Sequence, residues 1–177
     1  LSSEVDSHPI LKEIEIAKIA VKDLNKKRGI ELDNNLLTDD PFKLINDPSI
    51  DVIVEVMGGV DLAKDIILQS LRSGKSVVTA NKAVIARYGA EIYETAAREG
   101  VYILSEAAVC GGIPIIEPLK RSLKSNSIKK MVGIINGTTN FILSKMTNEK
   151  ADYKNTLKLA QSLGYAEFDP TADVEGH

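Results

Sequence analysis

The 177-residue chain holds a single cysteine, Cys110, which excludes an internal disulfide and favours a reducing compartment. Histidine is nearly as scarce. His8 and His177 lie close to the two ends and receive no role, so Cys110 has no histidine near in sequence and reads as loop filler rather than a nucleophile. No run of eighteen apolar residues occurs, and no charged-then-apolar leader with a cleavage site is present. Nothing therefore points to membrane insertion or secretion, and we expect the cytoplasm. Basic excess is missing too: 22 Lys+Arg against 25 Asp+Glu give a net charge of -3, with no electrostatic footprint for nucleic acid or a membrane surface. Finally, no GxGxxG occurs, the glycine turn through which a backbone approaches a dinucleotide pyrophosphate at a helix N-terminus. Either the chain binds no dinucleotide, or that turn belongs to sequence outside these residues.

What is present suits a compact protein: 44% hydrophobic and 27% charged residues, enough to bury a core as one domain or two small ones. Residues 14–21 (IEIAKIAV) and 51–56 (DVIVEV) read as β-branched strands. Apolar residues at 62, 66, 67 and 71 predict a helix over 62–72 closed by Gly74. A short strand over 76–79, a helix over 90–98 stopped by Gly100, and a strand over 101–105 follow. Strands alternating with helices of this length make crossovers and a parallel sheet, hence an α/β layered fold. The Asn/Asp-rich stretch 33–40 reads as a surface loop. From Pro114 the texture changes. A helix over 115–123, a strand over 128–135 and helices over 139–146 and 153–163 would start a second domain, giving boundaries of 1–113 and 114–177.

Five segments carry candidate chemistry. Residues 162–177 (SLGYAEFDPTADVEGH) set Glu167, Asp169, Asp173 and Glu175 just past a helix end at Gly164, whose left-handed freedom suits a cap, while Pro170 keeps Asp169 extended. A constrained acidic turn could grip an ammonium group and a hydroxyl; a solvated loop is the plainer alternative. Met57-Gly58-Gly59 follows the strongest strand, at the carboxyl edge where ligands of such folds bind, although paired glycines are also ordinary turn material. Lys82 stands just past another strand, where it could protonate an alkoxide or simply face solvent. Asn136-Gly-Thr-Thr-Asn140 joins a strand to a helix, with Thr138 or Thr139 as a candidate cap. Glu106 opens a glycine-rich run to Ile113 whose carbonyls could turn toward a hard cation, or form an interdomain hinge.

The wording of four of these segments, Thr79-Ala-Asn-Lys82, Glu106-Ala-Ala-Val-Cys-Gly-Gly-Ile-Pro114, Asn136-Gly-Thr-Thr-Asn140 and the acidic stretch from Gly164, resembles homoserine dehydrogenase in order and spacing, from about Glu15 to the last residue. The resemblance implies an incomplete Rossmann-type parallel sheet followed by the start of an α+β substrate and dimerisation domain. The first family strand with its glycine turn would precede Leu1, and a further aspartate and the principal acid/base lysine would follow His177, so the chain alone is expected to be inactive. It implies NAD(P)-linked interconversion of L-homoserine and L-aspartate 4-semialdehyde, on the route to threonine, methionine and isoleucine, by a homodimer. Carried over residue by residue, Lys82 is catalytic and lies beside the nicotinamide. Gly137, Thr138, Tyr165 and Glu167 bind substrate, and Asp173 supports the lysine pair in the same site. Gly58, Gly59 and Gly164 approach the cofactor. Glu106 and the backbone of Val109, Gly111 and Ile113 bind sodium.

For the cofactor itself, Lys22 after the first strand leans toward NADP, with Lys26, Lys27 and Arg28 beyond, while Asp23 keeps NAD open. Two other functions compete. Gly74-Lys-Ser-Val-Val is similar to the Gly-Lys-x-Val strand of sugar-type Rossmann oxidoreductases, although Asn81-Lys82-Ala83 stands where their Glu-Lys-Pro would be. A non-catalytic assembly or binding segment is the other.

Overall fold

The computed structural model describes residues 13–111, 113–166 and 169–175, and divides into two compact units, Leu1–Lys124 and Ser125–His177. In chain order the first unit contains β1 (Ile19–Ala20), β2 (Leu37–Thr38), α1 (Phe42–Asn46), β3 (Val52–Glu55), α2 (Asp61–Arg72), β4 (Ser76–Thr79), α3 (Lys82–Glu99) and β5 (Ile103–Leu104). The second contains α4 (Gly137–Glu149), α5 (Tyr153–Ser162) and α6 (Thr171–Glu175).

All strand pairing is parallel: β1 with β2 in one sheet, and β3, β4 and β5 side by side in another. Parallel neighbours need a crossover, which α2 and α3 supply for the larger sheet. Its pleat determines what is buried. Ile53, Val77 and Ile103 lie in one row across the three strands and bury themselves among Ala63, Ile66, Ile67 and Leu71 of α2 and Val84, Ile92 and Ala96 of α3. Each such aliphatic side chain contributes roughly 1.5–3 kcal/mol on burial, enough for this row to fix the height at which β3 and β4 end. The alternating residues Val52, Val54 and Leu104 remain exposed. Lys75, itself buried, donates its ammonium to the carbonyls of Asp47 and Ile50 at 2.6 and 2.5 Å and so ties the approach to β3 onto the start of β4.

In the second unit a smaller core gathers Ile142, Ala160 and Ala166 with Phe141, Met146 and Leu157. Asn136 caps α4 and Asp152 caps α5, each side chain accepting the amide of the third residue beyond it. Helix α5 ends as expected at Gly164, which takes φ 78° while its own amide and that of Tyr165 bond back to the carbonyls of Gln161 and Ala160.

Several expected boundaries move. The 14–21 strand contracts to Ile19–Ala20, because β2, its one partner among the described residues, pairs with just those two. Part of the expected loop 33–40 is that partner, preceded by a 3-10 turn at Asn34–Leu36. Helix α3 begins eight residues earlier than expected, since Asn81 caps it and Gly89 sits inside it without breaking it. The expected helix over 115–123 is a π-helical turn at Pro118–Ser122, where Pro118 lacks the amide an ordinary turn would use and the Leu123 amide bonds five residues back to the Pro118 carbonyl. Residues 128–135 form no strand: the described residues of their unit contain none with which they could pair, and Met131, Val132, Ile134 and Ile135 stand exposed.

Candidate active site

In the first unit the expected residues collect at the carboxyl edge of β3 and β4. Gly58 and Gly59 adopt φ 73° and 72°, and a Cβ at either would meet open space. Conformation rather than crowding therefore calls for glycine here, and the backbone is left bare where a ligand could approach. Asn81 connects this turn to α3: its Nδ2 donates to the Gly59 carbonyl at 2.8 Å and its Oδ1 accepts the Val84 amide at 3.2 Å. Lys82 is thereby the first residue of α3, exposed, at the end of the helix where the dipole is positive. A lysine does nothing for helix stability there, so its presence needs another reason. The amide bond to Gly59 also gives Asn81 a structural use that the glutamate of a Glu-Lys-Pro triplet could not copy, since a carboxylate has no hydrogen to donate.

Lys22 lies exposed just past β1. The neighbouring loop is folded on itself: Arg28 donates to the carbonyls of Lys26 and Asp23 at 2.9 and 2.7 Å, and the Asp23 carboxylate accepts the Asn25 amide at 2.8 Å. Lys26, Arg28, Asn25 and Asn34 help to line a cavity of about 230 Å³ formed by the connection from β1 to β2.

Glu106 behaves unlike an open ligand. Its carboxylate accepts the amides of Ile115, of Ile116 at 2.9 Å and of Glu117 at 2.9 Å, closing the segment 106–117 on itself. Partial burial works to raise its pKa, but these three amides, led by that of Glu117, and the Lys120 ammonium outweigh it and hold the carboxyl below its ordinary value. Within the loop Cys110 and Gly111 both take left-handed φ, 56° and 61°, Val109 is half-buried, and Ile113 is exposed. Among the described residues no three His, Cys, Asp or Glu side chains are grouped to hold a metal.

In the second unit the expected substrate residues surround the start of α4. Thr138 is buried, and its hydroxyl stands within bonding reach of the Tyr165 carbonyl and of Asp173 Oδ2, the latter at 3.1 Å. One hydroxyl hydrogen can serve only one of these acceptors at a time. Asp173, in α6, also accepts from Asn136 Nδ2 at 2.8 Å, and Tyr165 stacks on Phe141 with centroids 4.7 Å apart. Gly137, Thr138, Gly164, Tyr165 and Asp173 are thus gathered by the start of α4, the capped end of α5 and α6. Glu167 lies outside the described residues. The cap of α4 is Asn136 rather than the expected Thr138 or Thr139, because the asparagine oxygen reaches both the amide and the hydroxyl of Thr139 at 2.9 Å. The acidic turn is also less open than expected: Asp169 is engaged by the hydroxyl and amide of Thr171, which keep its pKa low, and Asp173 is turned toward α4. A separate cavity of about 350 Å³, walled by Ile142, Leu143, Met146, Tyr153 and Val174 with Thr139, is almost wholly apolar and ill suited to an amino acid.

Sequence reasoning overlooked Glu55, Thr79 and Asn136 as hydrogen-bonding parts of these turns. The only local signal for Glu55 is an acid at an inward position of the alternating strand Val-Ile-Val-Glu.

The family model described as "Homoserine dehydrogenase, NAD binding domain" matches residues 2–106, and that described as "Homoserine dehydrogenase" matches residues 114–177. A homoserine dehydrogenase of Synechocystis sp. is 56% identical over 168 residues, covering 95% of this chain and 39% of that protein. One from Bacillus subtilis is 52% identical over 163 residues, covering 92% and 38%. The chain therefore spans well under half the length of these relatives. Among solved structures, a homoserine dehydrogenase from Thiobacillus denitrificans matches with a TM-score of 0.81 at 47% identity, over 90% of this chain and 37% of that one. A hyperthermophilic archaeal homoserine dehydrogenase in complex with NADPH matches at 0.70 and 34% identity, over 77% and 42%. Two family models in succession, on a parallel sheet with its glycine turn and on the capped helices that follow, establish that the chain belongs to the homoserine dehydrogenase family.

Proposed function

We propose that this chain carries part of an NAD(P)-dependent homoserine dehydrogenase, which interconverts L-homoserine and L-aspartate 4-semialdehyde. The observation that carries the reading is the placement of Lys82 and the Gly58-Gly59 turn on one sheet edge, tied together by Asn81, in a chain of this family. The bare left-handed glycines at a carboxyl edge fit a dinucleotide, with Lys22, Gly58, Gly59, Lys82 and Gly164 as its contacts. The bound nicotinamide supplies the hydride acceptor when homoserine is oxidised. Lys82, one of a pair of lysines in the family, takes part in moving the proton off the homoserine hydroxyl oxygen and in returning it in the reverse direction. Gly137, Thr138, Tyr165 and Glu167 hold the amino acid, and Asp173 steadies the lysine side of the site.

NADP is favoured over NAD by Lys22 and by the engagement of Asp23 in its own loop, and an NADPH complex of the archaeal relative agrees with this. Sodium binding by Glu106 and the backbone of Val109, Gly111 and Ile113 belongs to the same proposal. With three amides already bound, the Glu106 carboxylate keeps one acceptor position, on Oε2, for a cation. A homodimer and a cytoplasmic site complete it, the latter supported by the lone unpaired cysteine. The test is oxidation of L-homoserine by the intact gene product, followed at the nicotinamide absorbance with NADP and with NAD. Absence of reduction with either refutes the reading; a faster rate with NAD corrects the cofactor.

A further inference from the structure

Between the two turns that this function uses stands a buried acid with no role assigned to it. Glu55 closes β3 and is 2% exposed, among Thr79 at 0% and Asn81 at 8%. Its Oε1 accepts the Met57 amide at 2.9 Å and its Oε2 accepts the Thr79 hydroxyl at 2.7 Å. Thr79 Oγ1 in turn accepts the Asn81 amide at 3.0 Å, and Asn81 donates to the Gly59 carbonyl. The bonds close a ring that runs from Glu55 through residues 57–59 to Asn81, on to Thr79, and back to Glu55.

Backbone amides only donate, so Glu55 Oε1 must accept from Met57 and Thr79 Oγ1 from Asn81, while the Thr79 hydroxyl gives its hydrogen to Oε2. A glutamine that keeps its oxygen on the Met57 amide turns its NH2 toward Thr79, which reverses that last bond and leaves the threonine hydrogen without its acceptor in the ring. What the ring does accomplish is geometric. It holds the glycine turn and the start of α3 at one spacing, and Lys82 is the residue whose backbone that spacing places.

We propose that Glu55 is a positioning residue for the dehydrogenase reaction, acting through Lys82 and through the Gly58-Gly59 turn. The proposal rests on the function proposed above. Its distinguishing property is coupling: a group that acts through Lys82 loses most of its effect once Lys82 is gone, whereas a merely structural group does not.

The experiment is a double-mutant cycle in the intact gene product with homoserine as substrate, together with titration of NADPH by its nicotinamide fluorescence in the absence of turnover. Glu55→Gln should lower kcat about tenfold in the parent, but change the residual kcat of Lys82→Ala by less than about twofold. It should also weaken dinucleotide binding by about threefold or more, because Met57 and Gly59 are no longer held. Equal losses of kcat in both backgrounds overturn the proposal, as does a Lys82→Ala protein with undiminished kcat. If the parent oxidises no homoserine, the proposed function falls by itself. Dinucleotide titration then decides the matter, and unchanged affinity in Glu55→Gln overturns the positioning role. Should Glu55→Gln not fold, Thr79→Val removes one hydroxyl from the same ring while keeping its shape, and must show the same coupling.

Discussion

Asn81 performs two separable tasks, and two substitutions separate them. Its Oδ1 caps α3, and its Nδ2 holds the Gly59 carbonyl. Asn81→Ala removes both. Loss of an N-cap costs about 1 kcal/mol, and loss of a neutral hydrogen bond at a site this buried adds about 0.5–1.5 kcal/mol, for a total near 2 kcal/mol. Asn81→Asp keeps an acceptor for the Val84 amide and places an acidic side chain at the positive end of α3, worth about 0.3–1 kcal/mol. That gain offsets most of the lost bond to Gly59, so the expected stability change is under about 1 kcal/mol. Its carboxylate cannot donate to Gly59, however, and the glycine turn is released. The assay pairs urea denaturation without dinucleotide, compared at the midpoint with the slope m held constant, with NADP titration. Alanine should lose both stability and dinucleotide affinity; aspartate should lose affinity alone. Equal destabilisation by the two, or an aspartate variant with full affinity, would refute the division of labour described for this side chain.

Gly59→Ala puts a Cβ into open space but forces a left-handed residue, at a cost of about 1–2 kcal/mol, and should weaken dinucleotide binding several-fold in the same titration. Glu106→Ala should lessen the dependence of turnover on sodium or potassium and raise hydrogen exchange at the amides of Ile115, Ile116 and Glu117; an unchanged cation response leaves Glu106 only its closing of the loop. Because the folded Glu106 carboxyl lies below its ordinary value, the order it lends is present above that ordinary value and is lost as pH falls through the lowered one. Protection of those amides, measured against their intrinsic exchange, should therefore fall only in acid. Glu167→Gln should raise KM for homoserine about tenfold, the loss of a charged hydrogen bond to its ammonium group, with cofactor affinity level; a weaker cofactor and constant KM would move Glu167 to the other ligand.

The strands β3 and β4 and the helix α2 were legible because alternation and a 3.6-residue period coincide with burial there. The first turns of α3 were not, since Lys82 and Ala83 are exposed and Gly89 interrupts the pattern, so only the capping asparagine marks the true start. Residues 128–135 have the β-branched content of a strand, but composition reports how side chains pack and not whether a neighbouring strand exists. At the site, Lys82 and the paired glycines could be found because each follows a strand. Glu55 could not, because its partner Thr79 is 24 positions away, and Asp173 finds Asn136 across 37. Such partners are chosen by the fold and leave no local mark.

The unpaired segment 131–135, Met-Val-Gly-Ile-Ile, has a consequence for how the chain must be made. It is short, uncharged, free of proline and β-branched, with its side chains in solvent, which are the properties of a sequence that self-assembles into cross-β fibres. Lys129 and Lys130 stand immediately before it, where charge repels an approaching copy and slows that association. The segment is as exposed in the folded unit as in a newly made chain, so the charge of those two lysines counters self-association before folding and after it.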